Sequence, residues 1–596
     1  MELKNKMFKL FIFVGIFCYG DCFVTYSQVD KVKLNQPNII IIMADDMGYG
    51  DLGFHNNPTI QTPFLDQFAS SSVQFSNFYV SPVCAPTRAS LLTGRYNIRT
   101  GVYDTYSGGA IMASNETTIA EIFKDNGYET GLFGKWHLGD SYPFRPQDQG
   151  FTSSVWHLGG GIGQVGDVFN YYKGETSYFN PLLYKNGKKF QSKGYCSDVF
   201  TNETISFIKN TNNKPFFAYL SFNAPHTPLQ VPDQYYQKYK DLIIDSDYFL
   251  KRGYYTHSMN KQDVESAKKV YAMISNIDDN IGKLIEFLKD NHVYDNTIII
   301  FMTDNGPEQY RYTGGYKGKK GLVREGGIHV PFYLKLPNNE NQIKQIKTPA
   351  AHIDVLPTLS ELCNIELPNH LQIDGVSFAS SLKKNSSIKN RSLFFEWQRS
   401  YPEKYRNMAV ISGDYKLIGN TESKNDVKNF ELYNLKKDPF ESTNIYYEND
   451  AIAKTLISKL DIWYNDIMSS KNLLNPPKII VGSQKEKHTI LNRNDAKGLP
   501  VIWDDDSIQV RWDIDIVEDG NYQLKCHFRK PMTKSGNMVL RIGHQNFTKN
   551  IHQKNIQTVV YPSINLKKGS CSLDAWYYIQ WKEYFTPFYV EIEKLD

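Results

Sequence analysis

Two short apolar runs constrain the fold of this chain more than any other feature of its sequence. Residues 38–43 read Asn-Ile-Ile-Ile-Ile-Met, and residues 297–302 form a second run of the same kind. Runs of this length, rich in β-branched side chains, are typical of strands that are buried on both faces of a parallel sheet. The sequence therefore predicts an α/β fold, in which helices such as the amphipathic stretch 262–289 flank a central sheet.

Oxygen-bearing side chains follow both runs. Asp45 and Asp46 come after the first, and Asp304 and Asn305 come after the second. Because ligands of open α/β sheets bind beyond the carboxyl ends of the strands, we expect these four side chains to share one site. Carboxylates held close together need a cation, and hard oxygen ligands favour Ca²⁺ or Mg²⁺ over zinc. The competing interpretation is an acidic turn or a helix cap.

Cationic side chains and histidines follow the other predicted strands. Lys135 and His137 lie just beyond one of them, and His226 lies just beyond another. Lys320 belongs to a later loop that is rich in glycine and lysine. Several fixed cations around one metal ion suit an anionic tetrahedral group, either sulfate or phosphate. These residues therefore predict the transfer of a sulfuryl or phosphoryl group.

The segment around Cys84 reads Ser-Pro-Val-Cys-Ala-Pro-Thr-Arg-Ala-Ser-Leu-Leu-Thr-Gly-Arg over residues 81–95. A lone cysteine near a proline is usually structural. This string, however, resembles the maturation signature of the sulfatase family, Cys-x-Pro-x-Arg followed by Leu-Thr-Gly-Arg. In that family a maturase oxidises the cysteine to formylglycine (3-oxoalanine), which is the catalytic nucleophile. The resemblance implies the same conversion of Cys84 and a formylglycine-generating maturase as a partner.

The resemblance extends over residues 36–468. The matching strings are Ala44-Asp45-Asp46, Gly134-Lys135-Trp136-His137-Leu138-Gly139, Ala224-Pro225-His226, Thr303-Asp304-Asn305-Gly306, and Lys320-Gly321 ahead of Glu325-Gly326-Gly327. They are similar to those of type I (formylglycine-dependent) sulfatases of the bacterial polysaccharide sulfatase and arylsulfatase type. The resemblance implies an alkaline-phosphatase-like central mixed sheet in a catalytic domain over 36–385. A small α+β subdomain with an antiparallel sheet is expected over 386–475.

The resemblance also implies a role for each site residue. The ligands of one Ca²⁺ are Asp45, Asp46, the modified Cys84, Asp304 and Asn305. The hydrated formylglycine attacks sulfur, and Arg88 orients it. Lys135 and Lys320 bind the sulfate oxygens. His226 protonates the departing alcohol, and His137 takes a proton from the second hydroxyl so that sulfate leaves.

Two stretches depart from the family pattern. His329 stands where the family often has arginine, and residues 308–311 form a polar insertion that ends in Arg311. Three lysines crowd the preceding loop, and Lys320 is assigned to sulfate because its spacing to the Glu-Gly-Gly string fits the family best. We expect these departures and the glycine-rich stretch 156–166 to line sugar subsites, although structural loops are the competing interpretation. The predicted substrate-binding set is Lys135, His226, Arg311, Lys320 and His329.

The first 28 residues read as a signal peptide. Lysines flank and enter an apolar run over 7–19, which is too short to span a bilayer comfortably. No later segment of the sequence has the character of a membrane span. We therefore predict an exported protein, periplasmic or secreted, without stable membrane insertion. A lipoprotein anchor on Cys18 or Cys22 fits less well, because the residues before each cysteine suit it poorly.

The C-terminal part of the chain has a different character. Residues 476–500 are polar and rich in proline, lysine and asparagine, which predicts a linker. Residues 501–596 alternate apolar and polar side chains between turns, which predicts a β-sandwich appendage. Two of the seven cysteines leave with the signal peptide, and the remaining odd number implies an unpaired one, for which Cys84 is the natural candidate. Cys526 and Cys571 are a candidate disulfide pair.

The charge balance of the chain and its family resemblance both indicate which class of substrate to expect. Lysine plus arginine is 67 and aspartate plus glutamate is 63, a near balance that argues against nucleic-acid binding. The resemblance and the export signal favour a sulfated oligo- or polysaccharide, with algal galactan or ulvan first, host glycosaminoglycans second, and 4-O-sulfated galactose as a refinement. One alternative is a phosphate or phosphonate ester hydrolase of the same superfamily, which usually has a threonine or serine nucleophile and two metals. The other is an inactive glycan-binding homologue.

Overall fold

The computed structural model describes residues 36–339, 343–383, 388, 390–419, 429–499, 503, 505–580 and 583–595. The predicted signal peptide, residues 1–28, lies outside the described residues. The described residues from Pro37 onward belong to one compact unit. Within the described part of the chain, no helix combines the length and the apolar character that a membrane crossing requires.

The first part of the chain alternates strands and helices. Its strands are β1 (Asn38–Ala44), β2 (Val73–Phe75), β3 (Phe78–Tyr79), β4 (Glu129–Lys135), β5 (Ser153–His157), β6 (Leu182–Lys185), β7 (Lys188–Gln191), β8 (Phe216–Ser221), β9 (Thr297–Thr303), β10 (Phe332–Lys335), β11 (Gln345–Ile346) and β12 (Ala350–Ala351). Its helices are α1 (Pro63–Ser71), α2 (Cys84–Thr93), α3 (Ile119–Asp125), α4 (Cys196–Lys209), α5 (Asp233–Tyr236), α6 (Ser246–Leu250), α7 (Lys261–Asp290), α8 (Glu325–Ile328), α9 (Val355–Leu362) and α10 (Ala379–Lys383).

A mixed sheet organises this part, with strand order β11-β2-β10-β9-β1-β8-β4-β5-β6-β7. The five strands at its centre, β9, β1, β8, β4 and β5, are parallel. Their carboxyl ends therefore meet at one edge, where Ala44 pairs with Thr303 and Met43 pairs with Ser221. Outer strands run antiparallel, as at the β10–β9 pair.

Both faces of the central strands are buried, as the apolar runs predict. Along β1, Ile39 and Ile41 belong to one core cluster, and Ile40 and Ile42 belong to another on the opposite face. The long helix α7 covers the second face through its apolar stripe. A capping box at Asn260 satisfies the first backbone donors of α7 and fixes where it begins.

A smaller antiparallel sheet follows in the chain. Its strands are β13 (Ser392–Glu396), β14 (Met408–Ser412), β15 (Tyr415–Ile418) and β16 (Glu431–Asn434). Helix α11 (Asp450–Met468) packs on it through Leu456, Leu460 and Trp463, and the short α12 (Lys471–Leu474) follows. The sequence predicts this sheet and its helix.

The C-terminal part contains two facing sheets. Its strands are β17 (Ile479–Val481), β18 (His488–Asn492), β19 (Arg511–Ile516), β20 (Gly520–Met532), β21 (Gly536–Ile542), β22 (Gln545–Ile551), β23 (Ile556–Leu566), β24 (Gly569–Ile579), β25 (Glu583–Phe585) and β26 (Tyr589–Lys594). One sheet has the order β17-β19-β24-β21-β22, with β25 beside β24, and the other has the order β18-β26-β20-β23. Their inward side chains form one core around Trp512, Leu524 and Leu540.

Two expectations for this region are wrong. The predicted linker 476–500 contains β17 and β18, one strand of each facing sheet. Its polar composition belongs to turns and outward faces, whereas short apolar segments such as 479–481 supply the inward side chains. The candidate disulfide between Cys526 and Cys571 is not formed: both are free, and they lie in opposite sheets.

Candidate functional site

The carboxyl ends of β1 and β9 bring the predicted acids together. The backbone N–H of Asp46 donates to Asp304 Oδ1 at 3.1 Å, and Asn305 Nδ2 donates to Asp46 Oδ1 at 2.8 Å. Asp46 adopts a left-handed backbone with φ 65°, which turns the chain sharply after Asp45. All four side chains are buried.

A cation faces each of the three carboxylates. Lys135 Nζ lies 2.6 Å from Asp45 Oδ2, and Lys320 Nζ lies 2.8 Å from Asp46 Oδ1. Arg88 Nη2 lies 2.7 Å from Asp304 Oδ2. Burial of these charges is costly unless each has a partner, and the pairs supply one.

The pKa values of the three carboxylates are shifted in different directions. Burial raises the pKa of Asp304 to about 7, and the neighbouring Asp45 adds to the effect. Burial also raises the pKa of Asp45, although Lys135 opposes it. At Asp46, burial is outweighed by Lys320 and His226, so its pKa falls well below the usual value. Crowded acids of this kind are what a bound cation stabilises.

Two oxygens test whether the cluster fits a metal ion. Asp45 Oδ1 and Asn305 Oδ1 are fully buried and accept no hydrogen bond. Among the described residues, the groups with ligand atoms within 4.8 Å of one another are Asp45–Cys84–Asp304 and Asp45–Asp46–His226. Both groups share Asp45 and so belong to one site. A cluster dominated by carboxylate and amide oxygens fits a hard cation such as Ca²⁺.

Cys84 is the first residue of α2, and its side chain faces this cluster. It is only 2% exposed, and its Sγ lies 3.4 Å from His137 Nδ1. Arg88 follows one helical turn later and therefore lies on the same face of α2. Burial raises the pKa of the Cys84 thiol, although Lys135 and Lys320 oppose it. An unmodified thiol here is largely protonated and a weak nucleophile.

His137 is oriented by a backbone carbonyl. Its Nε2 lies 2.7 Å from the carbonyl oxygen of Thr105, so Nε2 carries the donating proton. In the neutral ring, Nδ1 is then an acceptor that faces Cys84. Burial and the neighbouring Lys135 hold the pKa of His137 well below its usual range, which favours the neutral ring.

His226 adjoins the acidic cluster at Asp46. Its Nδ1 donates to the carbonyl of Thr227 at 2.7 Å, and its Nε2 lies 3.6 Å from Asp46 Oδ2. Burial and the neighbouring Lys320 together lower the pKa of His226 to about 4, against the opposing effect of Asp46. Nε2 is therefore the atom of His226 that faces the site.

The glycine-rich stretch 156–166 packs against both histidines. A Cβ atom at Gly160 would lie 2.7 Å from the His137 ring, so a larger residue does not fit there. Gln164 Nε2 lies 3.4 Å from His226 Nδ1 and donates to Thr227. The stretch forms a wall of the site, close to where the sequence predicts it.

Arg311 and His329 do not have the predicted substrate-facing positions. Arg311 is fully buried: its Nε and Nη2 donate to Asp51, and Nη2 also donates to the Asp46 carbonyl at 2.7 Å. His329 is 1% exposed, with Nε2 2.9 Å from the Ser76 carbonyl and Nδ1 3.2 Å from Glu325. The structure contradicts a direct sugar contact by either side chain. The pattern-based expectation failed because sequence adjacency to a catalytic string does not reveal which way a side chain points.

Three further residues support the site without a visible sequence signal. Ser221 hydrogen-bonds to Arg88 and donates to the Lys135 carbonyl at 2.8 Å. Asp51 holds Arg311, and Thr105 orients His137 through its backbone. A lone serine at a strand end and a backbone carbonyl carry no motif, so neither could be identified beforehand.

Comparison with known proteins bears on this geometry. Residues 37–365 match the family described as Sulfatase, and residues 315–465 match the family described as N-sulphoglucosamine sulphohydrolase, C-terminal. The chain is 30% identical over 436 residues to "Uncharacterized sulfatase YdeN" of Escherichia coli (strain K12), covering 64% of this chain and 71% of that protein. It is 31% identical over 411 residues to an arylsulfatase of Klebsiella aerogenes, covering 56% of this chain and 88% of that protein.

A solved structure extends the comparison to the fold. The structure of Ps i-CgsB in complex with k-i-k-neocarrahexaose is similar with a TM-score of 0.63 and 28% identity, covering 74% of this chain and 94% of that chain. The predicted alkaline-phosphatase-like architecture is therefore confirmed.

Proposed function

The chain belongs to the sulfatase family and is a sulfatase enzyme, and from this we propose that it removes O-sulfate from a sulfated carbohydrate. The proposed machinery is a formylglycine formed at Cys84 and one Ca²⁺. The alternative of an inactive glycan-binding homologue is not favoured, because the acidic cluster, the cations and both histidines are in place.

The charge arrangement around Cys84 Sγ carries this proposal. Three buried carboxylates face three cationic side chains, Arg88, Lys135 and Lys320, at 2.6 to 2.8 Å. These charges cancel, and a bound divalent cation would leave the site positive. A positive, largely dry site stabilises the negative charge that develops on a sulfate ester in the transition state.

Asp45, Asp46, Asp304 and Asn305 would hold the calcium ion together with the modified Cys84. When bound, calcium would supply Lewis-acid stabilisation of the sulfate ester. Lys135 and Lys320 would neutralise the remaining sulfate oxygens. Each is already fixed by its carboxylate partner, so little reorganisation accompanies substrate binding.

The conversion of Cys84 is supported by the maturation string and by its surroundings. The buried thiol is a poor nucleophile because its pKa is raised. Formylglycine supplies a hydrated aldehyde whose hydroxyl is the nucleophile. Arg88, one turn along α2, would orient this group. His137 Nδ1, which lies 3.4 Å from the Cys84 Sγ, would accept a proton from it.

His226 would serve as the proton donor to the departing alcohol. Its Nε2 faces the site, and its Nδ1–H is held by the Thr227 carbonyl, which fixes the ring plane. Donation from Nε2 requires the protonated ring. Burial and the neighbouring Lys320 oppose that charged form, whereas Asp46 favours it.

The proposed substrate is a polymer-derived sulfated sugar. Ps i-CgsB binds k-i-k-neocarrahexaose in its crystal structure, and that protein is 28% identical to this chain. We therefore rank algal galactan or ulvan first and glycosaminoglycans second, with 4-O-sulfated galactose as the refinement.

A phosphate or phosphonate ester hydrolase is disfavoured, because a cysteine begins α2 and the described acids form one metal cluster.

A combined assay tests the proposal. Mass spectrometry of the tryptic peptide ending at Arg88 should show loss of the thiol in active protein, and the same preparation should release sulfate from defined sulfated oligosaccharides. Fully active enzyme with unmodified Cys84 would refute the nucleophile. Hydrolysis of phosphate or phosphonate esters in preference to every sulfate ester would favour the alternative. Export of the chain stays a prediction.

A further inference from the structure

Three segments that are distant in sequence meet beside the site and form an arginine-centred cluster, here called the Arg399 cluster. It consists of Asp104, Tyr106, Trp397, Arg399 and Trp503. The Arg399 guanidinium lies 4.0 Å from the Tyr106 ring centroid and 4.9 Å from that of Trp397. Tyr106 in turn packs on Trp503, with ring centroids 4.7 Å apart. The proposed sulfate chemistry uses none of these side chains.

The cluster adjoins two residues of the proposed machinery. Arg399 Nη1 donates to Thr105 Oγ1 at 2.8 Å, and the Thr105 carbonyl accepts from His137 Nε2 at 2.7 Å. On the other side, a Cβ atom at Gly321 would lie 2.9 Å from the Trp397 ring, and Gly321 directly follows Lys320. The cluster therefore contacts both the residue that orients His137 and the residue that follows Lys320.

Arg399 is held as an oriented cation at the surface. Asp104 Oδ1 accepts from its Nη1 at 2.5 Å, and the Asp104 side chain is fully buried, whereas 32% of the Arg399 side chain is exposed. The two aromatic rings fix the plane of the guanidinium. Within the described part of the chain, the hydrogen bonds of Arg399 use Nη1, so Nε and Nη2 can donate to a ligand.

These features match a charged sugar. A guanidinium edge binds sulfate or carboxylate oxygens through two parallel hydrogen bonds. Tyr106 and Trp397 are partly exposed and present apolar rings beside it, suited to the apolar face of a pyranose. Because Asp104 and the rings already fix Arg399, little side-chain entropy is lost on binding.

We propose that the Arg399 cluster is a subsite for the sugar next to the one that carries the scissile sulfate, and that Arg399 binds a second oxyanion on that sugar. This inference rests on the proposed function. The oxyanion is a sulfate or a uronate carboxylate, which share the same recognition chemistry. The enzyme then selects chains with charge on adjacent sugars. The competing role for Arg399 is to position Thr105 and His137 only.

Matched substrates separate these roles. Three oligosaccharides would carry the same scissile sulfate beside a neutral, a sulfated or a uronic acid neighbour, with 4-nitrophenyl sulfate as a fourth substrate. We expect kcat/KM of the wild type to be at least tenfold higher with a charged neighbour. Arg399→Gln should remove that preference mainly through KM, and Arg399→Lys should retain part of it. The preference of the wild type should also fall with added salt.

Arg406→Gln is the matched control. Arg406 belongs to the same loop and its side chain is 35% exposed, but it pairs with the exposed Glu403. This variant should keep the wild-type preference. Thermal unfolding of each variant checks that the fold is intact, and the charge-retaining Arg399→Lys keeps the test valid if Arg399→Gln is unstable.

The outcomes are distinguishable. If Arg399→Gln lowers activity on all four substrates by one factor, the residue only positions His137 and the subsite is refuted. If the wild type hydrolyses sulfated sugars without preferring a charged neighbour, the subsite is refuted and the proposed function is retained. If it hydrolyses aryl sulfate but no sulfated sugar, the subsite and the proposed function are both refuted. Between the two charged substrates, the one with the larger loss in Arg399→Gln identifies the oxyanion.

Discussion

Arg88 Nη2 lies 2.7 Å from Asp304 Oδ2, and neither side chain is exposed to solvent. The same guanidinium donates through Nη1 to the Lys135 carbonyl at 3.1 Å and contacts Ser221. One side chain of α2 thus connects the carboxyl ends of β4, β8 and the segment after β9. Removing one partner of a buried ion pair leaves an uncompensated charge, which costs far more than losing an exposed pair.

The first prediction concerns this pair. Arg88→Leu should lower the free energy of unfolding by about 3–5 kcal/mol, because Asp304 would stay buried without its partner. Urea unfolding followed by fluorescence measures the change. Arg406→Leu is the control, and its exposed pair with Glu403 should cost less than about 1 kcal/mol. Equal small losses in both variants would contradict a structural role for the Arg88–Asp304 pair.

The second prediction concerns the metal ion. Elemental analysis should find one Ca²⁺ per chain, and removal by a chelator should lower the melting temperature, because a ligand that binds only the folded state stabilises it. Added Ca²⁺ should restore it. Asp304→Ala should abolish both the bound calcium and the calcium-dependent shift, a readout that does not depend on activity. Stoichiometric zinc, or an absence of metal in active enzyme, would overturn the assignment.

The third prediction replaces the expected sugar contact of Arg311. Because Arg311 holds Asp51 and the Asp46 carbonyl from within the core, Arg311→Ala should lower stability by about 3–5 kcal/mol. It should reduce activity on aryl sulfates and sulfated sugars by similar factors, since it displaces the 46–51 turn. Activity on both substrate classes and unfolding by urea test this. A loss confined to sulfated sugars would restore the original expectation.

The contrast between Asp45 and Arg311 explains what the sequence could predict. Buried parallel strands are recognisable in the sequence as short apolar runs. Because the carboxyl ends of parallel strands lie at one edge of the sheet, the acidic cluster that includes Asp45 could be predicted from these runs. Arg311 and His329 depend on side-chain direction, which adjacency to a motif does not determine. The strands β17 and β18 were missed because three to five residues among polar turns give too weak an alternation to recognise.

The fourth prediction concerns the pH dependence of the free energy of unfolding, through the buried carboxyl group of Asp278. Asp278 accepts hydrogen bonds from the backbone N–H groups of Phe64 and Leu65, at the start of α1. Burial nevertheless raises its pKa from 3.8 to about 7. Because the folded state binds this proton more tightly than the unfolded state does, its stabilising contribution is complete below pH 3.8 and is lost as the pH rises through 7.

In the wild type, loss of this proton should lower the free energy of unfolding as the pH rises from about 4 to 7. Asp278→Asn should therefore make this decrease smaller. The full effect of raising this pKa from 3.8 to about 7 is on the order of 4 kcal/mol. Urea unfolding at several pH values measures it. Asp247→Asn is the control, because Asp247 is 75% exposed and should leave the slope as it is in the wild type. An unchanged slope in Asp278→Asn would show that the proton is not retained in the folded state.

The last prediction concerns the C-terminal sheets, which support the walls of the site. Asn492 Nδ2 donates to Asp140 Oδ2 at 2.7 Å, and the same oxygen accepts from the Gly159 N–H at 2.8 Å. The Gly108 N–H donates to the Asn494 carbonyl at 3.2 Å. The segment 492–494, at the end of β18, thus supports both the glycine-rich stretch and the loop that carries Thr105.

Core packing makes the same connection. Ile490 and Phe588 belong to a core cluster of the large sheet, while Ile111 and Phe144 belong to the core of the C-terminal sheets. A chain that ends at residue 475 should therefore aggregate or unfold, because it exposes apolar surface on the catalytic part. Asn492→Leu should fold but lose about 1–3 kcal/mol of stability, because buried Asp140 loses one of its two hydrogen-bond donors. It should also lower kcat on aryl sulfate, since Asp140, which binds the Gly159 N–H, is then held less firmly. Lys567→Leu is the control, because its ion pair with Asp519 lies at an exposed turn. A folded chain ending at 475 with the kcat of the full-length enzyme would show that the C-terminal sheets play no part in shaping the site.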